Sequence, residues 1–71
     1  MVSVRVQASS RRRVRERDKD FIGKPIVPTV VQLASYPRSG DFIEDSQGNN
    51  FPVHSVTWIL GLDVPPIVEV D

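Results

Sequence analysis

The sequence predicts a mainly β or β-rich α+β fold: a small sheet or barrel of four to five short strands with a basic N-terminal arm or short helix. Three observations predict it. Valine leads the apolar residues, with twelve copies against three Leu and two Ala, and β-branched side chains suit pleated, half-buried surfaces. Six Pro and four Gly cut the valine-rich runs into pieces of strand length bounded by turns. The 71 residues hold no Cys, which leaves no disulfide and no thiolate metal site. A domain this short buries only about 60% of its unfolded surface. It must therefore hold together by apolar packing, by oligomerising or by binding.

The elements follow in chain order, within a single domain over residues 1–71. Val2, Val4, Val6 and Ala8 alternate with Ser3, Arg5 and Gln7, the period of a strand with one buried face over residues 2–8. Residues 9–24 form the basic arm or short helix. Ser9 or Ser10 is suited to cap a helix. Against an intrinsically stable one stand the like-charge pairs Arg11–Arg15, Arg13–Arg17, Arg15–Lys19 and Glu16–Asp20, each four residues apart. Three Arg would crowd the positive end of the helix dipole, and Asp18 and Asp20 its negative end. Opposite charges three apart (Arg13–Glu16, Arg15–Asp18, Arg17–Asp20) offset part of this. Val14 is the only apolar residue of the segment 9–20, so a helix here requires tertiary contacts. Written as an extended chain, the segment forms a ladder with Arg11, Arg13, Arg15, Arg17 and Lys19 on one side.

Residues 25–71 form an acidic, β-rich body. Pro25 and Pro28 bracket Ile26 and Val27 in an extended stretch with little pairing capacity. Thr29–Tyr36 is a second strand. Pro37-Arg38-Ser39-Gly40 is a turn. Phe42 and Ile43 open a third strand, and the Asp45–Asn50 loop turns it into a fourth at Phe51–Leu60, as a hairpin. Val53 and Ser55 fall on one face of that run and His54, Val56 and Trp58 on the other; two partly apolar faces predict a central strand. After Pro65-Pro66, the run Ile67–Val70 is placed to pair with the first strand.

Charge is divided along the chain. Residues 1–24 carry eight cations against three acids, a net of +5, and residues 25–71 carry Arg38 against six acids, a net of −5. Such asymmetry describes an interaction arm on a small body. Catalysis is not expected. There is no Cys nucleophile, no nucleophile elbow and no phosphate-cradling glycine loop. His54 and Ser55 are adjacent in a strand and point apart. Asp41, Glu44 and Asp45 read as a solvated turn. No metal, cofactor, small-molecule substrate or membrane is expected. No apolar leader follows Met1, and the chain reads as cytoplasmic.

Binding is the remaining class. An arginine-rich arm neutralises phosphates or carboxylates, and Arg outnumbers Lys seven to two. Tyr36, Phe42, Phe51 and Trp58 are candidate stacking platforms for a single strand, although a core role suits Trp58 and Phe51 better. The valine strand offers itself for pairing with a partner's sheet edge, or it completes the protein's own sheet. The candidate partner-binding residues are Val4, Arg5, Val6, Arg11, Arg12, Arg13, Arg15, Arg17 and Lys19.

The Val2-Ser3-Val4-Arg5-Val6 opening, the Ser9-Ser10-Arg11-Arg12-Arg13-Val14-Arg15 arm and the small acidic β-rich body together resemble a class of phage protein. It is the small early regulators that lytic phages, among them phages of Xanthomonas, direct at the host RNA polymerase. The resemblance rests on roughly the first twenty residues. It implies a non-catalytic protein that binds bacterial RNA polymerase near the RNA exit channel, at the N-terminal region of the largest subunit and the flap. It would inhibit initiation by weakening sigma contacts and promote read-through of terminators, with the basic arm beside the exiting RNA. Two other readings stay open: a small β-barrel that binds single-stranded nucleic acid through its arginine-rich arm, and a phage structural or assembly subunit.

Overall fold

Alternation of apolar and polar residues does set the first strand. In the computed structural model, which describes all 71 residues, β1 spans Val2–Ala8. It is followed by α1 (Ser10–Glu16), β2 (Thr29–Leu33), β3 (Phe42–Glu44), β4 (Asn50–Thr57) and β5 (Ile67–Val70). The strands form one curled five-stranded sheet, a half-barrel, in the order β2-β1-β5-β4-β3. β1 and β5 run parallel, and the other neighbours are antiparallel. The expected pairing of the last strand with the first is present, with Arg5 opposite Ile67 and Ala8 opposite Val70.

The concave face holds the core. Val4, Val53, Val68 and Val70 are buried, and Val6, Ile26, Val31, Leu33, Ile43, Phe51 and Val56 pack against them. Every fully buried member is a valine, so the composition is what allows so thin a core to close. The convex face is polar: Arg5 and Gln7 alternate with the buried residues of β1, and the Ser55 hydroxyl donates to Glu69 Oε1 at 3.2 Å.

β4 has a neighbour on each side, as predicted, but its two apolar faces have another cause. The pairing shifts at His54: Val53 lies opposite Val70, while Ser55 lies opposite Glu69 and Val56 opposite Val68. His54 is the extra residue of a bulge. The bulge turns Val56 onto the same face as Val53, so both reach the core although they are three residues apart.

Two strands are shorter than predicted. β2 ends at Leu33 because Leu33 pairs with Val2, the first residue of β1. β4 ends at Thr57 because its partner Ile67 is preceded by two prolines, which have no N–H for the ladder. Trp58, Ile59 and Leu60 therefore leave the sheet. Gly40 and Gly48 supply the positive φ values, 95° and 84°, that the turns before and after β3 require.

The order of strands corrects one candidate. β1 is flanked by β2 and β5, so its backbone is engaged on both sides and Val4 is 0% exposed. Val4 and Val6 complete this protein's own sheet and do not form an edge for a partner.

Val68→Ala should lower unfolding stability by about 2 kcal/mol in urea titration, through lost transfer energy and a cavity in the valine cluster. Val14→Ala, on the exposed side of α1, should change it by less than about 0.5 kcal/mol. Equal losses at the two positions would contradict this assignment of the core.

Candidate functional site

The site is built from α1 and the way it is fastened. Ser9 is its N-cap, in extended conformation at φ −65° and ψ 163°. Besides the Ser9 carbonyl, which accepts from the Arg13 N–H at 2.9 Å, three bonds involve the N–H and hydroxyl of Ser9. Its N–H donates to the Val70 carbonyl at 2.9 Å, its Oγ accepts from the Arg12 N–H at 3.1 Å, and its hydroxyl donates to Asp71 Oδ1. The helix thus starts where β5 ends. It stops at Glu16, so Asp18 and Asp20 lie beyond it, and Arg13 and Arg15 occupy the last turn. Cations are favoured there, which removes part of the electrostatic objection to a helix.

Arg12 and Glu16 turn inward. Arg12 Nε donates to Glu16 Oε2 at 2.9 Å, and the Ile26 N–H donates to the same oxygen at 2.9 Å. The guanidinium also reaches the Asp71 carbonyl at 3.4 Å and the Lys24 carbonyl at 3.5 Å. Its carbon lies 5.5 Å from the Phe21 ring centre and 5.3 Å from that of Phe51, within cation–π range. These are the tertiary contacts the helix needs: Arg12 ties α1 to Asp71 at the end of the sheet, to Lys24 and to two aromatic rings, and Glu16 ties it to the Pro25–Pro28 crossing. Arg12 is therefore a structural residue and is withdrawn from the partner-binding set. The signal for this in the sequence is the opposite-charge pair Arg12–Glu16 four residues apart, with Ser9 three residues before Arg12.

The remaining arm cations face water. In a helix the extended ladder does not exist; Arg11 and Arg15 form one ridge, Arg13 and Arg17 another, and Val14 lies between them, 67% exposed. The Lys/Arg–carboxylate pair of the molecule is Arg12–Glu16, and His54 approaches Asp71. Arg5, Arg11, Arg13, Arg15, Arg17 and Lys19 are exposed and have no carboxylate within 4.0 Å. Arg5 stands on the convex sheet face rather than with the helix. The structure thus sets Arg11 and Arg15 on one flank of α1 and Arg13 on the other, with Arg17 at the C-cap and Lys19 in the turn that follows.

The other candidates resolve into turns and capping. Asp41 Oδ2 accepts from the Arg38 N–H at 2.8 Å. Asp45 accepts from the N–H groups of Gln47 and Asn49 at 2.9 Å each and from the Asn49 side chain at 3.0 Å. Those bonds, the Asn49 side chain foremost, hold the Asp45 carboxyl below its ordinary value. No three His, Cys, Asp or Glu side chains are grouped to hold a metal ion. His54 Nδ1 lies 3.5 Å from Asp71 Oδ2, while Ser9 bonds the other carboxylate oxygen. The carboxylate stands between hydroxyl and imidazole, which is not the order in which an imidazole activates a nucleophile. The Ser9 hydroxyl lowers the Asp71 pKa most; partial burial opposes this, and the charges of His54, Arg11 and Arg15 assist it.

The aromatic candidates separate. Phe51 packs on the core and beside Arg12, as expected. Trp58 does not take a core role: it is 60% exposed, because the ladder ends at Thr57. It meets Tyr36 edge to face, with ring centres 4.8 Å apart, at the opposite end of β1 from α1. No helix is long and apolar enough to cross a membrane. No family model, no curated protein and no solved structure matches this chain.

A carboxyl whose native pKa is lowered stabilises the fold fully above its ordinary value, 3.8 here, and ceases to do so as pH falls through the lowered native value. Asp71→Asn should accordingly flatten the acid limb of stability between about pH 5 and pH 2, followed by urea unfolding at fixed pH. An unchanged acid limb would show that the Ser9–Asp71 bond contributes nothing.

Proposed function

We propose that this protein is a non-catalytic regulator that docks its arginine helix on an anionic surface of bacterial RNA polymerase near the RNA exit channel. The observation that carries the docking half of this reading is the division of labour within α1. One arginine fastens the helix, while Arg11, Arg13 and Arg15, with Arg17 at the C-cap, are exposed and have no carboxylate within 4.0 Å. A rigid helix presents such cations at low entropic cost, and charge complementarity directs encounter and orientation. The choice of polymerase follows the resemblance of the Val2–Val6 and Ser9–Arg15 segments to small early phage regulators. In this reading the protein weakens sigma contacts during initiation. Cations beside the exit channel hold the transcript and hinder terminator hairpins, which promotes read-through.

Arg11→Glu, Arg13→Glu, Arg15→Glu and Arg17→Glu combined should reduce polymerase capture on the order of 100-fold. The melting temperature should shift by less than about 4 °C, since these side chains are exposed and form no hydrogen bond or ion pair within the fold. Capture of no polymerase subunit by the unaltered protein at low salt would contradict the proposal. Tight oligonucleotide binding, with log affinity falling against log salt at a slope near −3 (roughly 0.7 for each of four phosphate contacts), would assign the helix to single-stranded nucleic acid instead.

A further inference from the structure

The end of the molecule farthest from α1 is apolar and almost uncharged. Leaving β4, the chain runs Trp58-Ile59-Leu60-Gly61-Leu62 before Asp63. Leu60 is 98% exposed and Leu62 63%. Beside this loop lies an open groove of about 550 Å³, lined by Met1, Tyr36, Trp58, Leu62, Val64 and Pro66 among others, with Asp63 as its one charged residue. Apolar patches rimmed by polar surface mark contact sites.

The molecule as a whole also exposes too much surface for a chain of its size. A folded monomer of 8.0 kDa is expected to expose about 4,450 Å², whereas this one exposes 5364 Å². The difference over the whole molecule is about 900 Å², to which the exposed Met1, Trp58, Leu60 and Leu62 at this end contribute; a standard stable interface takes roughly 800 Å² from each partner.

From these observations we infer that this end is a two-fold interface with a second copy of this chain. A two-fold contact requires a patch complementary to itself. Here the knob, Leu60, projects from the loop whose neighbouring residues Trp58, Ile59 and Leu62 line the groove, so in a two-fold pair each copy's Leu60 fills the other's groove. The paired ends bring together no more than one Asp63 from each copy. β1, seven residues long, separates the groove from α1 by about 20 Å. Joining by the apolar ends therefore directs the two arginine helices away from each other and avoids their repulsion. A nucleic-acid occupant is disfavoured because no Lys or Arg side chain lines the groove. This inference is independent of the reading given to α1.

Sedimentation equilibrium of the full chain, from about 1 µM to 500 µM, tests it. Concentration-dependent dimers are expected. Leu60→Glu and, separately, Leu62→Glu should each raise the dimer dissociation constant on the order of 100-fold by burying an unpaired charge. Both residues are exposed in the monomer, so circular dichroism should show the fold intact. Arg13→Glu should leave the dimer unchanged. A chain that stays monomeric throughout would overturn the inference, as would a dimer indifferent to both glutamates. A monomer whose Trp58 fluorescence shifts on zwitterionic phosphatidylcholine vesicles would assign the patch to a lipid surface and overturn it equally.

Discussion

The parallel pairing of β1 with β5 is the constraint on which the rest of the structure depends. It brings Val4 of one strand beside Val68 and Val70 of the other, and these are three of the four residues that are buried in the core cluster. It also places the Val70 carbonyl and the Asp71 carboxylate next to Ser9. The helix cap is therefore built across the sheet and not from the local sequence alone. A seven-residue helix with this charge pattern is marginal in water. Its existence here follows from the register of two strands sixty residues apart.

That fastening explains why the charges of the arm are distributed as they are. An arginine cluster with no internal partners would repel itself and resist ordering. Arg12 resolves the conflict by turning inward onto Glu16, two carbonyls and two aromatic rings. Glu16 in turn fixes the Pro25–Pro28 crossing through Ile26. The remaining three helix arginines, and Arg17 at the C-cap, keep their charge exposed. The molecule consequently has two unlike ends: a cationic helix where β1 stops, and an apolar loop and groove where it starts.

Much of the sheet was legible in the residues. The alternation Val2-Val4-Val6-Ala8 marks β1, the Asp45–Asn50 loop marks the β3–β4 hairpin, and the position of Ile67–Val70 marks its pairing with β1. The failures share a physical cause, which is that local pattern does not report long-range partners. The bulge at His54 imitates a strand apolar on both faces, because a single added residue exchanges the faces downstream of it. Trp58 reads as core from its side chain, but it lies past the last partner of β4. The arm reads as well extended as helical until Asp71 is known to reach Ser9. The helix surface was legible as composition; which arginine would be withheld from it was not, since that depends on where Phe21, Phe51 and Asp71 arrive.

One arginine of the helix is committed to the fold while its neighbours stay exposed to solvent. Hydrogen exchange of the arginine Nε–H groups, followed by ¹⁵N NMR of the isolated protein, reads this residue by residue. Slow exchange at Arg12 with fast exchange at Arg11, Arg13, Arg15 and Arg17 is the result that the geometry requires. Protection of any of those four comparable to that of Arg12, or fast exchange at Arg12, would contradict it.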